Sequence, residues 1–155
     1  MIRILFVCHG NICRSPMAEY IFKEMMREKH VERLFSADSA GTSAEELGRP
    51  VYSPAKRELE RHGVPCPLRR ARVLTAADYQ RYDYIIAMEQ YNVRNMLRIF
   101  GGDPNNKISR LLDFTPRPGD IDDPWYSGDF DTVYKQIREG CAAMLDRFTA
   151  AGKIR

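Results

Sequence analysis

The sequence predicts a single-domain α/β fold over residues 1–155, a three-layer sandwich with a parallel sheet between two layers of helices. Two observations lead there. Apolar runs of strand length alternate with segments whose apolar residues recur at helical spacing. In addition, 155 residues with 44% hydrophobic content fill one ordinary core and leave too little for a second. Strands delivered by such alternating units lie parallel, and helices cover both faces.

Residues 2–7 form a β-rich apolar run that stops at Cys8. From Pro16 onward the apolar positions become Ala18, Ile21, Phe22, Met25 and Met26, a helical pattern. Ser15 suits an N-cap and Pro16 the first helical position, so a helix is expected immediately after Arg14, leaving residues 8–14 as the connecting loop. Residues 34–39 read as a second strand. Ser53-Pro54 opens a helix with Ala55 and Leu59 on its buried face, and Gly63 closes it. Thr75 with Asp78 caps a short helix, residues 84–88 form a nearly continuous apolar strand, and Val93, Met96, Leu97 and Phe100 mark a helix ending before Gly101-Gly102. Residues 108–114 are the last expected strand and 115–128 a long loop. The final helix carries Phe130, Val133, Tyr134, Ile137, Cys141, Met144, Leu145 and Phe148 at helical intervals.

Twenty-four basic and 21 acidic residues leave a formal charge of +3, too small a bias for bulk attraction to nucleic acid or membrane, and neither is expected as a partner. The densest basic stretch, Leu68-Arg69-Arg70-Ala71-Arg72, follows Pro65 and Pro67 and is expected to be a solvated surface. No apolar run approaches the ~20 residues of a membrane span or the h-region of a signal peptide. Cytoplasmic, reduced thiols are therefore expected for Cys8, Cys13, Cys66 and Cys141.

In parallel sheets, ligands bind outside the carboxyl ends of the strands where strand order reverses, and the 8–14 loop lies at one such end. Its residues suit a phosphate dianion. Successive backbone N–H groups can form an anion-binding nest, Gly10 accepts a positive φ, and Asn11 tolerates the left-handed region. The following helix directs the positive end of its dipole at the loop. Arg14 offers a planar fork for two phosphate oxygens. A helix N-terminus and an arginine both favour thiolate over thiol, which makes Cys8 the expected nucleophile, with Ser15 near enough in sequence to donate to its sulfur. The Cys8-x4-Cys13 spacing also fits zinc, but two further ligands are missing: Cys66 and Cys141 stand alone and no close His pair exists. Neither metal nor other cofactor is expected.

The run Val7-Cys8-His9-Gly10-Asn11-Ile12-Cys13-Arg14-Ser15-Pro16 resembles the signature of the low-molecular-weight protein tyrosine phosphatases. Asp38-Ser39-Ala40-Gly41-Thr42-Ser43, Arg61-His62-Gly63, Tyr82-Asp83-Tyr84-Ile85-Ile86-Ala87-Met88 and Asp123-Pro124-Trp125-Tyr126 resemble further segments of that family, in order. The resemblance covers essentially the whole chain. It implies a four-stranded parallel sheet and hydrolysis of protein phosphotyrosine through a phosphocysteine on Cys8; a monomer is expected. Residues 9–14 (His9, Gly10, Asn11, Ile12, Cys13 and Arg14) would hold the phosphate or another oxyanion.

Leaving-group departure calls for a proton donor. Asp120, Asp122, Asp123 and Asp129 all qualify on composition, and the resemblance selects Asp123, whose swing Pro124 limits. It also implies that Ser39 and His62 hydrogen-bond Asn11, with Ser15, Ser39 and His62 supporting the loop from behind. A helix-terminal role for His62 is the competing reading. Trp125 and Tyr126 offer flat walls for a phosphorylated ring. Glu45 stands where the family often has an aromatic wall residue and disfavours acidic flanks by repulsion. His9 replaces a common leucine and makes the rim more polar.

Arsenate reductases share the Cys-x5-Arg loop but need two further, closely spaced cysteines, which this chain lacks. Protein-arginine phosphatases are a closer alternative and tend to carry threonine where Ile12 stands, so the isoleucine favours phosphotyrosine. A redox-sensing phosphate-binding module, with a reversible Cys8–Cys13 disulfide, is the third alternative.

Overall fold

The computed structural model describes residues 1–150; the last five residues of the expected 1–155 domain lie outside the described residues. Strand β1 (Ile2–Cys8) leads into helix α1 (Arg14–Glu28), then β2 (Phe35–Gly41), α2 (Ser53–Arg61) and α3 (Asp78–Arg81). Strand β3 (Tyr84–Ala87), α4 (Gln90–Phe100) and β4 (Ile108–Arg110) follow, then a 3-10 turn (Leu111–Phe114), α5 (Pro124–Ser127) and α6 (Phe130–Ala150).

The four strands form one parallel sheet in the order β2-β1-β3-β4. The chain leaves β1 for one side to make β2 and later returns to its other side to make β3. The strand order therefore reverses at β1, and the carboxyl end of β1 opens into the crevice where ligands bind in such sheets. Cys8 stands there, in register with Gly41 of β2, while Val7 pairs with Ala87 at the end of β3.

β1 is buried on both faces, and its alternation divides the core. Ile4 and Phe6 face the cluster built with α1, α2 and α6, whereas Leu5 and Val7 face Leu74, Tyr79 and Met96 on the side of α3 and α4. Complete burial of Ile4, Leu5, Phe6 and Val7 contributes about 1.5–3 kcal/mol for each side chain. All eight apolar positions expected on the last helix are buried along α6.

Four local expectations are corrected. Residues 111–114, read as strand, form the 3-10 turn: Asp113 Oδ2 accepts the amide N–H of Arg110 at 3.1 Å, and Leu111 packs fully buried against the α6 backbone at Gly140. The 115–128 loop contains α5. Leu97 points outward from α4, where Asn92 and Met96 are the buried positions. Ser15 does not cap α1; Cys13 holds the N-cap position, the helix starts at Arg14, two residues before Pro16, and Ser15 turns inward.

Candidate active site

The 8–14 loop is held from behind by a chain of polar contacts centred on Asn11. Its backbone is in the left-handed region at φ 60°, a conformation asparagine adopts more readily than other non-glycine residues. Its side chain donates to Ser15 Oγ at 2.9 Å and Ser39 Oγ at 3.0 Å, and accepts the amide N–H of Arg72 at 3.0 Å. Ser39 in turn donates to the buried Glu19 at 2.6 Å. Arg69 donates to the Asn11 carbonyl. These bonds satisfy a side chain that is 1% exposed, as burial of polar groups requires.

The positive φ thus falls on Asn11. Gly10 has none; a Cβ there would stand 3.1 Å from Glu46 Cγ, so the Glu46 side chain would have to shift by a few tenths of an ångström to admit one. The basic stretch after Pro67 is likewise corrected from solvated surface to loop support. Ala71 is buried, its N–H bonds the Arg49 carbonyl, and Arg72 pairs with the fully buried Asp78 at 3.1 Å. Only Leu68 and Arg70 of that stretch are exposed.

His62 does not reach Asn11. It caps the carboxyl end of α2, lies 2.9 Å from Glu58 Oε2 and stacks on Tyr134 with ring centroids 3.7 Å apart. Arg69 and Arg72 make the contacts expected of it. No spacing in the sequence marks them, because they meet Asn11 only through the parallel bridge of Val73 to Gly41.

On the open side of the loop, Cys8 Sγ lies 3.0 Å from Ser15 Oγ and accepts the amide N–H of Asn11 at 3.3 Å. Since Ser15 Oγ accepts from Asn11, its own proton is available to the sulfur. Cys13 is a buried neighbour. Burial, reinforced by the charges of Cys8 and Asp123, holds its thiol far above the ordinary range and keeps it protonated at neutral pH.

Arg14 is 2% exposed. It pairs with Glu89, donates to the Ile121 carbonyl at 2.8 Å, and lies 3.5 Å from Asp123 Oδ2. Burial alone would lower its pKa, but Cys8, Glu89 and Asp123 outweigh that and raise it. Sequence reasoning missed Glu89. Its place directly after Met88, past the end of β3 and on the same carboxyl edge as Cys8, was the available signal.

The structure separates the four candidate aspartates. Asp120 accepts the Gln90 amide at 2.9 Å and pairs with Arg110, Asp129 caps α6 through the Thr132 amide, and Asp122 is exposed. Asp123 faces the site. As N-cap of α5 it accepts the Trp125 amide on Oδ1 at 3.0 Å and turns Oδ2 toward Arg14, with Pro124 fixing the first helical position.

A cavity of about 210 Å³ brings the candidates together. Cys8, His9, Gly10, Ile12, Cys13 and Arg14 line it from the loop, and Glu45, Asp123, Trp125 and Tyr126 from the walls, with Glu46 as an unforeseen addition. Trp125 rests on Tyr52 with ring centroids 4.7 Å apart, which steadies a half-exposed ring. His9 Nε2 is 3.4 Å from Glu45 Oε2 on the rim. A thiol, a guanidinium and a carboxyl around one cavity, with a buried hydroxyl hydrogen-bonded to the sulfur, can transfer a phosphoryl group to sulfur and on to water. Cys66 and Cys141 take no part; Cys141 is fully buried on α6, with its thiol raised by burial.

Residues 3–153 match the sequence profile described as low molecular weight phosphotyrosine protein phosphatase. The low molecular weight protein-tyrosine-phosphatase YfkJ of Bacillus subtilis is 39% identical over 94% of both chains, and its crystal structure superposes with a TM-score of 0.94 over 97% of this chain and 96% of that one. The human low molecular weight phosphotyrosine protein phosphatase is 36% identical over 93% of this chain and 94% of its own. A Drosophila arginine phosphatase is 31% identical, with a TM-score of 0.85 over 95% of this chain and 98% of that structure.

Proposed function

The chain belongs to the low molecular weight phosphotyrosine protein phosphatase family, whose members are phosphoric monoester hydrolases, and on that premise we propose that it hydrolyses protein phosphotyrosine through a phosphocysteine on Cys8. The observation that carries this reading is the convergence of Cys8, Arg14 and Asp123 on one cavity, with the buried Ser15 Oγ 3.0 Å from the Cys8 sulfur. The phosphoryl group enters over the loop, where Arg14 grips two of its oxygens and exchanges part of its contact with Glu89 and Asp123 for them. Cys8 Sγ attacks phosphorus in line while Asp123 donates its proton to the departing phenolic oxygen. A water then attacks the phosphocysteine with Asp123 as base, and Ser15 hydrogen-bonds the sulfur as it leaves.

Trp125 and Tyr126 would flank the phenyl ring. Cytoplasmic phosphoproteins are the proposed substrates and the protein acts as a monomer. Among the described residues no helix is long and apolar enough to cross a membrane.

Hydrolysis of phosphoarginine is the second reading, favoured by the Drosophila arginine phosphatase neighbour. The chemistry on Cys8 is common to both, and Ile12 on the cavity wall favours the aromatic ester. Phosphate release from matched phosphotyrosine and phosphoarginine peptides, without added metal, separates them. The wild type should prefer phosphotyrosine and Cys8→Ser should be inactive. Preference for phosphoarginine would replace the substrate class and keep the chemistry, whereas cleavage of neither would leave a binding or redox role.

A further inference from the structure

Tyr91 lies in the first turn of α4, two residues beyond the Glu89 that pairs with Arg14. It is 49% exposed, and its ring stands 6.1 Å from that of His9 with an interplanar angle of 34°. On its other side His9 meets Glu45, whose side chain is 72% exposed. Carboxylate, imidazole and phenol ring thus form a row in which Glu45 and His9 line the cavity and Tyr91 stands beside His9 just outside it.

Among the described residues, Glu45 is the carboxylate of the cavity wall that no arginine or lysine faces. Asp123 and Glu89 face Arg14, and Glu46 faces Arg49 at 3.1 Å. Among the described residues Glu45 is faced by His9 alone, an imidazole that carries charge only when protonated. The row therefore combines an uncompensated negative group with a flat aromatic face. A guanidinium answers both at once: its plane stacks on an aromatic ring while its N–H fork reaches a carboxylate. An ammonium gains the charge attraction without the planar stacking, and an acidic side chain is repelled.

We infer that Tyr91, with His9 and Glu45, forms a rim subsite that takes an arginine side chain next to the phosphorylated residue. This rests on the phosphotyrosine reading and makes Tyr91 a specificity-determining residue. Exposed stacking and an exposed ion pair are each modest, so together they should favour an arginine flank over alanine by about fivefold in kcat/KM.

The test compares phosphotyrosine peptides that differ only in their flanking residues, Arg, Lys, Ala, Leu or Glu, scanned on either side. Each rate is normalised to the same enzyme's turnover of 4-nitrophenyl phosphate, which has no flank. The wild type should rank Arg above Lys, Lys above Ala and Ala above Glu. Tyr91→Ala should bring Arg down to Lys while both stay above Ala, Tyr91→Phe should restore the Arg advantage, and Glu45→Gln should bring Lys down to Ala. Equal rates on all flanks, or a Leu flank outranking Arg, would overturn the subsite and leave phosphotyrosine hydrolysis standing. An Arg advantage that survives Tyr91→Ala would remove Tyr91 from it. Turnover of 4-nitrophenyl phosphate with none of any peptide would reject the phosphotyrosine reading and the subsite with it.

Discussion

Asn11 shows how a single side chain can hold a reactive loop in shape. Its left-handed backbone is strained for most residues, and the bonds to Ser15, Ser39, Arg72 and Arg69 make that conformation the satisfied one. That Cys8, Arg14 and Ser15 lie close together was legible in the sequence, because they fall within one short segment whose spacing carries the signal. Its support was not, since Arg69 and Arg72 reach Asn11 from a distant segment, and His62, chosen by resemblance, is spent on Glu58 and Tyr134. The two assignments are separable by mutation. Arg69→Ala should raise KM for 4-nitrophenyl phosphate severalfold and lower stability by about 1 kcal/mol, the value of one net hydrogen bond. His62→Ala should leave KM within twofold, and the reverse pattern in steady-state kinetics would return the supporting role to His62. Asp123→Asn should lower kcat by about 10²–10⁴, the usual worth of a positioned acid. The loss should grow as the leaving phenol becomes less acidic; a uniform loss across a series of aryl phosphates would argue against proton donation.

The strand β2 matters to the site because it passes directly beneath the loop. A Cβ on Gly41 would lie 2.7 Å from the His9 carbonyl oxygen and 3.1 Å from the Asn11 amide nitrogen, both backbone atoms that cannot swing aside. Gly41→Ala should therefore distort the loop and abolish most activity while the far-ultraviolet circular dichroism stays that of the wild type. Full activity in that variant would show that the loop does not need this close approach. The turn before β4 has its own anchor: Asp103 accepts the Tyr79 hydroxyl and the amides of Lys107 and Ile108. Burial would raise its pKa, but these bonds and the charge of Lys107 lower it. A carboxylate depressed by folding stabilises above its unfolded pKa of about 4 and loses that contribution as pH falls through its folded value. Asp103→Asn should cost about 1–3 kcal/mol at pH 7 by denaturant unfolding, with the gap to wild type closing below about pH 4. A gap independent of pH would mean that the charge is not the source. Element types were legible where periodicity is long, as in α6. The end of β4 was not, because Leu111 and Leu112 suit strand and 3-10 turn equally, and the choice is made by Asp113 and by the space beside Gly140.

The alternation of strands and helices made the sandwich and its parallel sheet legible, and the crossing of the chain from one side of β1 to the other explains why the site lies at the Cys8 end. The β2-β1-β3-β4 order itself was not read from the sequence, since strand neighbours are chosen by packing between distant segments rather than by any local pattern. The assembled cavity has a consequence for the whole protein. An anion that binds only the folded state raises stability by mass action, so inorganic phosphate should raise Tm progressively in the wild type and far less in Arg14→Ala; equal shifts would place the anion elsewhere. The most direct test of the central claim is to look for the intermediate. The wild type and Cys8→Ser would be mixed with excess phosphotyrosine peptide, acid-quenched within milliseconds, and examined by peptide mass spectrometry. A phosphoryl adduct on Cys8, formed with a burst of released tyrosine peptide in the wild type and absent from Cys8→Ser, is the expected result. Rapid hydrolysis by Cys8→Ser, or an adduct on another residue, would contradict it.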